Sequence, residues 1–319
     1  MKIVVLERNS VGTDISIEGI TSLGEAVVYP NTVADEVVER IHDAEIIVAN
    51  KVPLNEGTLK DAPNVKLICE FATGFDNVDI AYCRSRGIKV ANIVGYSTDS
   101  VAQHTFALCL YVLEKLKRYD DYVKSGTYAA QSRFSNFDLP FFELAGKTWG
   151  IVGMGNIGRK VAQIAAAFGC RVIFYSVTGK SSCADYERVD FDTLLAESDV
   201  LSLHCPLSDL TRHLINKEAL KKMKSSAVLV NVARGPIICD EDLYEALVEG
   251  EIAGAGLDVT STEPMKESNP LSRIQDSSRL IITPHMAWAS VEARIRCVNE
   301  TAENIKAFLS GENRNIVNL

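Results

Sequence analysis

The sequence predicts an α/β protein organised as two doubly wound parallel-sheet domains, and three observations carry the prediction. Short runs rich in β-branched residues recur along the chain with helical or polar segments between them. These runs are continuously apolar rather than alternating, as in strands covered on both faces of a parallel sheet. The chain has 319 residues, enough for two domains at a typical size of roughly 150 residues each.

In the first third the predicted strands are KIVVLE (2–7), EAVVYP (25–30), EIIVAN (45–50), VKLICEFA (65–72) and IKVANIV (88–94). A helix is predicted over 97–118, with candidate N-caps at its start and basic residues at its end, both favourable to the helix dipole. Its middle is apolar almost all round, so it is expected to be buried between domains or in a dimer interface. The stretch 125–146 has no clear period, and its aromatic residues are expected to line a domain junction or a site. The remaining strands are TWGIVGMG (148–155), RVIFYS (171–176), DVLSLHCP (199–206), AVLVNVAR (227–234), AGAGLDV (253–259) and LIITPH (280–285). A closing helix over 290–310 carries Val291, Ile295, Val298, Ala302, Ile305 and Leu309 on one stripe. No internal repeat or low-complexity segment interrupts the pattern.

Bulk properties narrow the function classes. With 47% hydrophobic and 24% charged residues, the composition is that of an ordinary soluble globular protein. A net charge of -9 offers no general attraction for nucleic acid or an anionic membrane. The opening MKIVVLERNS has a shorter apolar run than a signal-peptide core, and TFALCLYVL (105–113) is too short to span a bilayer. The eight cysteines are scattered without a Cys-x-x-Cys pair. They read as free thiols of a reducing compartment, the cytoplasm. The histidines form no ligand spacing with Cys or Asp, so no metal is expected.

The sharpest motif is Gly153-x-Gly155-x-x-Gly158, which directly follows an apolar strand and opens a small-residue helical pattern. The first glycine permits a tight turn, the second lets backbone approach a pyrophosphate, and the third lets helix pack on strand. Asn156 and Ile157 lie at the helix N-terminus, which attracts phosphate charge. The alternative is a merely structural glycine turn; the strands on either side favour dinucleotide binding. An Asp or Glu about 20 residues on usually bonds the adenosine ribose. The second strand ends instead at Tyr175-Ser176, with no carboxylate before Asp185. Lys180, with Ser176, Thr178 and Ser181, is therefore either a contact for the 2′-phosphate of NADP or part of a solvated turn. Gly179-Lys180-Ser181 is not a P-loop, because Phe174 occupies the position that needs glycine.

Three further strand ends carry polar chemistry. Arg234 ends AVLVNVAR, Asp258 and Glu263 lie within GLDVTSTEP (256–264), and His285 ends LIITPH. The carboxyl ends of parallel strands are where open α/β sheets bind ligands. An anion-binding guanidinium, an orienting carboxylate and an imidazole make an acid–base set. Each has a plainer reading as a local structural contact.

With these pieces in place the chain resembles the D-isomer-specific 2-hydroxyacid dehydrogenases over nearly its whole length. The matching segments are ATGFDNVDI (72–80), STDSVAQHTFAL (97–108), ELAGKTWGIVGMGNIG (143–158), LSLHCPL (201–207), NVARGPIICD (231–240), GLDV (256–259) and TPHMAWAS (283–290). The resemblance implies a Rossmann nucleotide domain, 99–288, inserted into a flavodoxin-like substrate domain formed by 1–98 and 289–319. It also implies a homodimer. It makes Arg234 the ligand of the substrate carboxylate and keto oxygen, His285 the general acid–base, and Glu263 its partner. A carboxylate beside an imidazole favours the protonated form and holds one tautomer, which suits protonation of a carbonyl oxygen as hydride arrives from NAD(P)H. Backbone amides at Thr73 and Gly74 would hold the substrate carboxylate, and Trp288 would border the substrate. Asp258 would meet the nicotinamide carboxamide, while His204, Cys205 and Pro206 would wall the adenine.

Glutamate rather than glutamine beside the histidine argues against the formate dehydrogenase branch, and the end of the chain at 319 argues against a regulated phosphoglycerate dehydrogenase. Within the family, FDLPFFELAGKT (137–148) and TPHMAWASVEAR (283–294) most resemble glycerate dehydrogenase/hydroxypyruvate reductase enzymes. The expected activity is reduction of hydroxypyruvate or glyoxylate to a D-2-hydroxy acid. A D-lactate-type dehydrogenase, or a dinucleotide-sensing interaction protein like the corepressors of this fold, is the alternative.

Overall fold

A computed structural model describes residues 1–319. The chain divides into two compact units, Met1–Ser97 with Trp288–Leu319, and Thr98–Ala287.

The first unit is built on five parallel strands: β1 (Lys2–Val5), β2 (Glu25–Val28), β3 (Ile46–Ala49), β4 (Leu67–Glu70) and β5 (Lys89–Ala91), in the order β2-β1-β3-β4-β5. Successive side chains on a strand point to opposite faces, so a run with no polar alternation buries both. On one face Ile3, Val5, Ile46, Val48 and Leu67 pack under the helix Val291–Leu309. On the other Val4, Ile47, Ala49, Ile68 and Val90 pack against Val37, Ile41, Leu59 and Cys83. Burying one such aliphatic side chain is worth about 1.5–3 kcal/mol. Only β2, at the edge, keeps exposed positions.

The helix Val291–Leu309 begins where expected, with Ser290 Oγ accepting from the Ala293 amide at 3.3 Å. Its buried face differs from the predicted stripe. Val298, Ala302 and Ile305 are buried with Ala293 and Cys297, whereas Val291, Ile295 and Leu309 are exposed. Sequence counted large aliphatics, while the close approach to the sheet selects small residues.

The second unit has seven parallel strands: β6 (Thr148–Val152), β7 (Arg171–Tyr175), β8 (Glu187–Arg188), β9 (Val200–Leu203), β10 (Val228–Asn231), β11 (Gly254–Leu257) and β12 (Leu280–Ile282). Their order is β12-β11-β10-β9-β6-β7-β8, so the connections leave β6 and β9 in opposite directions and open a crevice at their carboxyl ends. The two-residue edge strand β8 escaped the sequence reading because it is polar and exposed.

The predicted helix over 97–118 is two helices, Thr98–Leu113 and Leu116–Lys124. Lys115 breaks it in the left-handed region at φ 56°, and its Nζ donates to the Ser278 carbonyl at 2.9 Å. The first helix is buried against β10 and β11 within its own unit, through residues including Phe106, Leu108, Cys109 and Val112. Its approach is close enough to require glycine on β11: a Cβ at Gly256 would lie 2.8 Å from the Leu108 Cβ. In the stretch 125–146, Phe134, Phe137, Phe141 and Phe142 are exposed. All eight cysteines are free, and burial pushes the thiols of Cys83, Cys170 and Cys205 up to about 11. No helix is long and apolar enough to cross a membrane.

Candidate active site

The glycine loop joins β6 to the helix Asn156–Ala167. Gly153 sits at φ 94°, and its amide donates to the Tyr175 carbonyl at 3.1 Å. Any Cβ there would lie within 3 Å of the His204 and Cys205 backbone, and one at Gly158 would lie 2.2 Å from the Gly153 carbonyl oxygen. These two glycines are dictated by internal packing. Gly155 is not, because a Cβ there meets nothing within 4 Å. Nor does any side chain cap the helix, so the first-turn amides at Asn156 and Ile157 face outward. Open space at a glycine beside uncapped amides fits a pyrophosphate.

At the end of β7 Ser176 is buried, and its hydroxyl accepts from the Ser181 amide at 3.1 Å, closing a turn. Lys180 is exposed. Two arginines that the sequence did not single out pin this loop: Arg188 donates to the Gly179 carbonyl at 2.9 Å, and Arg159 donates to the Ser182 carbonyl. Arg159 directly follows Gly158 and was findable; Arg188 lies on the strand that carried no apolar signal.

His204 follows β9. Its amide donates to the Val152 carbonyl at 2.8 Å, and its Nε2 lies 3.0 Å from Ser202 Oγ, which also accepts from Trp149 Nε1. Burial pushes the imidazole down to about 3, and it pushes the neighbouring Cys205 thiol up to about 11. With Pro206 these residues form an uncharged wall at neutral pH.

Three loops at the carboxyl ends of β10, β11 and β12 bring the acid–base candidates into one unit. Asn231 shapes the first, donating to the Arg234 carbonyl at 2.9 Å and accepting from the Ala233 amide at 3.0 Å. Arg234 is extended, with Nη1 on the Ala233 carbonyl. A Cβ on Gly235 would lie 1.9 Å from the Thr260 carbonyl oxygen, so the Arg234 loop packs directly on the loop that carries Glu263. Glu263 Oε1 accepts from the Thr260 amide at 3.3 Å, and Oε2 lies 2.7 Å from His285 Nδ1. With Nδ1 engaged by the carboxylate, Nε2 is the ring nitrogen left for proton exchange. His285 itself occupies the left-handed region at φ 53°, and its amide donates to the Asp258 carbonyl at 2.8 Å.

Asp258 holds that conformation. Only 1% exposed, it accepts from Thr283 Oγ1 and the Met286 amide on one oxygen and from the Ala287 amide on the other, at 2.6, 2.9 and 2.8 Å. His104 Nε2 reaches Thr283 Oγ1 at 2.9 Å. The carboxylate therefore organises the 283–287 segment. His104 and Thr283 were missed because each looks ordinary in its own segment and matters only through Asp258.

The other sequence candidates lie in the five-stranded unit. Thr73 Oγ1 donates to the Ile93 carbonyl at 2.6 Å, and the Thr73 carbonyl accepts from Asn92 Nδ2 at 2.7 Å. Gly74 follows on the same loop. Trp288 packs edge-on against Tyr96, with ring centroids 6.1 Å apart, beside the core of that unit.

Residues 106–287 match the family described as D-isomer specific 2-hydroxyacid dehydrogenase, NAD binding domain. The chain belongs to the D-isomer specific 2-hydroxyacid dehydrogenase family and is an NAD-dependent oxidoreductase. It is 39% identical to a hydroxypyruvate reductase of Blautia hydrogenotrophica, over 100% of both chains. It is also 39% identical to a glycerate dehydrogenase of Methylorubrum extorquens, over 99% of this chain and 98% of that one. A solved D-lactate dehydrogenase of Aquifex aeolicus, complexed with NAD and lactic acid, superimposes with a TM-score of 0.86 at 31% identity, covering 98% of this chain and 96% of that one.

Proposed function

We propose that this dehydrogenase reduces 2-keto acids of the hydroxypyruvate and glyoxylate class to D-2-hydroxy acids, with Arg234, Glu263 and His285 performing the protein's part of the chemistry. The observation that carries this reading is the 2.7 Å contact between His285 Nδ1 and Glu263 Oε2, on loops at the carboxyl ends of neighbouring strands. The nicotinamide cofactor, when bound, supplies the hydride. Glu263 orients the imidazole and stabilises its cationic form, so that Nε2 delivers a proton to the keto oxygen; in oxidation Nε2 takes the hydroxyl proton. The Arg234 guanidinium suits a carboxylate and the adjacent carbonyl, holding the substrate and polarising the bond to be reduced. Thr73 and Gly74 serve through their backbone amides, since the Thr73 hydroxyl is already engaged, and Trp288 borders the substrate.

Gly155, Asn156 and Ile157, in the turn formed by Gly153 and Gly158, would hold the pyrophosphate of the cofactor. His204, Cys205 and Pro206 would form a neutral wall for its adenine. Asp258 serves the nicotinamide end by fixing the segment that bears His285. Both cofactors are accepted: with no carboxylate at Ser176 to repel a 2′-phosphate, Lys180 is free to meet it, beside a loop ordered by Arg159 and Arg188. The protein works as a cytoplasmic homodimer, and exposed Phe134, Phe137, Phe141 and Phe142 supply an apolar surface for a second copy. An interaction protein without catalysis leaves the Glu263–His285 pair without a role. A panel of 2-keto acids assayed by absorbance with NADH and with NADPH tests the proposal. Turnover of hydroxypyruvate or glyoxylate is expected; the absence of turnover with every 2-keto acid would refute it.

A further inference from the structure

Glu70 ends β4 and is the only fully buried carboxylate of the five-stranded unit. Its Oε1 accepts from Asn77 Nδ2 at 3.3 Å, while Oε2 has no hydrogen-bond partner. The same Asn77 nitrogen donates to the Val52 carbonyl at 3.0 Å, and the Asn77 carbonyl accepts from the Leu54 amide at 2.9 Å. Asn77 thus ties the segment after β3 to the segment after β4, and Glu70 sits behind the tie. The connections around β1 and β3 diverge here, making the carboxyl ends of these strands the natural ligand edge of the sheet.

Charge at this edge is already allocated. Glu7, after β1, accepts the consecutive amides of Asn50, Lys51 and Val52 at 2.8, 2.8 and 3.2 Å with a single oxygen. Glu7, after β1, and Lys51, after the neighbouring β3, are the charged groups that act on Glu70, and Cys69 beside it stays a neutral thiol. Burial raises the Glu70 carboxyl to about 8; the Asn77 hydrogen bond offsets this only in part, and the Glu7 charge adds to the rise.

We propose that Glu70 is a positioning residue for substrate binding, acting through Asn77 to hold the 73–77 segment in the shape that presents the Thr73 and Gly74 amides. The proposal rests on the reading of those amides as the substrate-carboxylate site. At neutral pH Glu70 is an uncharged acid that tolerates burial. Above about pH 8 it becomes an anion facing Glu7 with one oxygen unpaired, and the strain is relieved by opening the segment to water. Substrate affinity is lost, whereas cofactor affinity, set in the other unit, is not.

The test is the pH profile of KM in wild type, Glu70→Ala and Glu70→Gln. Glu70→Ala should raise KM for hydroxypyruvate at neutral pH and Glu70→Gln should restore it, with KM for NADH unchanged in both. Between about pH 7 and about pH 9.5, the wild-type KM for hydroxypyruvate should rise roughly tenfold relative to that of Glu70→Gln, whose comparison cancels the titration of the shared acid–base groups. Superimposable wild-type and Glu70→Gln profiles overturn the proposal while leaving the substrate reading intact. A wild-type protein that reduces no 2-keto acid overturns both. Should the variants fail to fold, wild type alone decides. Hydrogen exchange of the 71–79 amides, corrected for intrinsic rate, should accelerate as pH rises through about 8, and unchanged protection overturns the proposal.

Discussion

At the scale of single residues, the proposed chemistry concentrates in one imidazole. His285→Ala is expected to lower kcat/KM by about 100- to 10,000-fold, the usual share of a general acid–base, while the Kd for NADH measured by fluorescence titration stays near the wild-type value. Loss of both together would mean that His285 is structural. Buried Glu70 and half-buried His204 also make the pH dependence of stability specific. Glu70 has a folded pKa raised from 4.5 to about 8, so the unfolded chain loses its proton first and stability falls as pH rises across that interval. His204 is the opposite case: its folded pKa is lowered from 6.5 to about 3, so the unfolded chain gains a proton first and stability falls as pH drops across that interval. Urea unfolding of wild type, Glu70→Gln and His204→Gln should show each slope flattened by its own substitution, and unaltered slopes would exclude these groups as the cause. Arg234, Glu263 and His285 were legible in the sequence because each follows an apolar run that ends at a parallel strand's carboxyl end. Their supports were not: that both Asp258 oxygens hold the 283–287 segment depends on contacts between strand ends that no local pattern records.

At the scale of elements, the glycines separate packing from binding. Gly155→Ala meets nothing within 4 Å, so it should fold with near wild-type Tm yet weaken NADH binding, because its methyl group occupies the pyrophosphate approach. Gly256→Val should do the reverse to stability, costing about 1–3 kcal/mol as the helix Thr98–Leu113 is forced off the sheet. Calorimetry with and without NADH distinguishes the two effects, and equal destabilisation by both substitutions would contradict the assignment. The strand runs were readable because a strand buried on both faces writes an unbroken apolar segment. Helix limits were less so. The break at Lys115 has no glycine or proline to announce it, and the buried face of Val291–Leu309 follows small residues that a count of large aliphatics overlooks.

For the whole molecule, the exposed phenylalanines after residue 133 lead to a prediction about assembly. Light scattering should show a dimer, and Phe134→Asp with Phe137→Asp should yield monomer; a monomeric wild type would refute the homodimer. Sequence by itself determined the class of fold, the order of its strands along the chain, the cofactor fingerprint and the family, because periodicity, strand-end position and glycine spacing are written locally. Tertiary structure decided that His285 is bonded to Glu263 rather than merely near it in the chain's logic, and that Ser176 closes a turn. It also revealed that Glu70 is sealed with an unpaired oxygen. Those outcomes depend on which strand ends become neighbours and how deeply each polar atom is covered, and no local pattern encodes either.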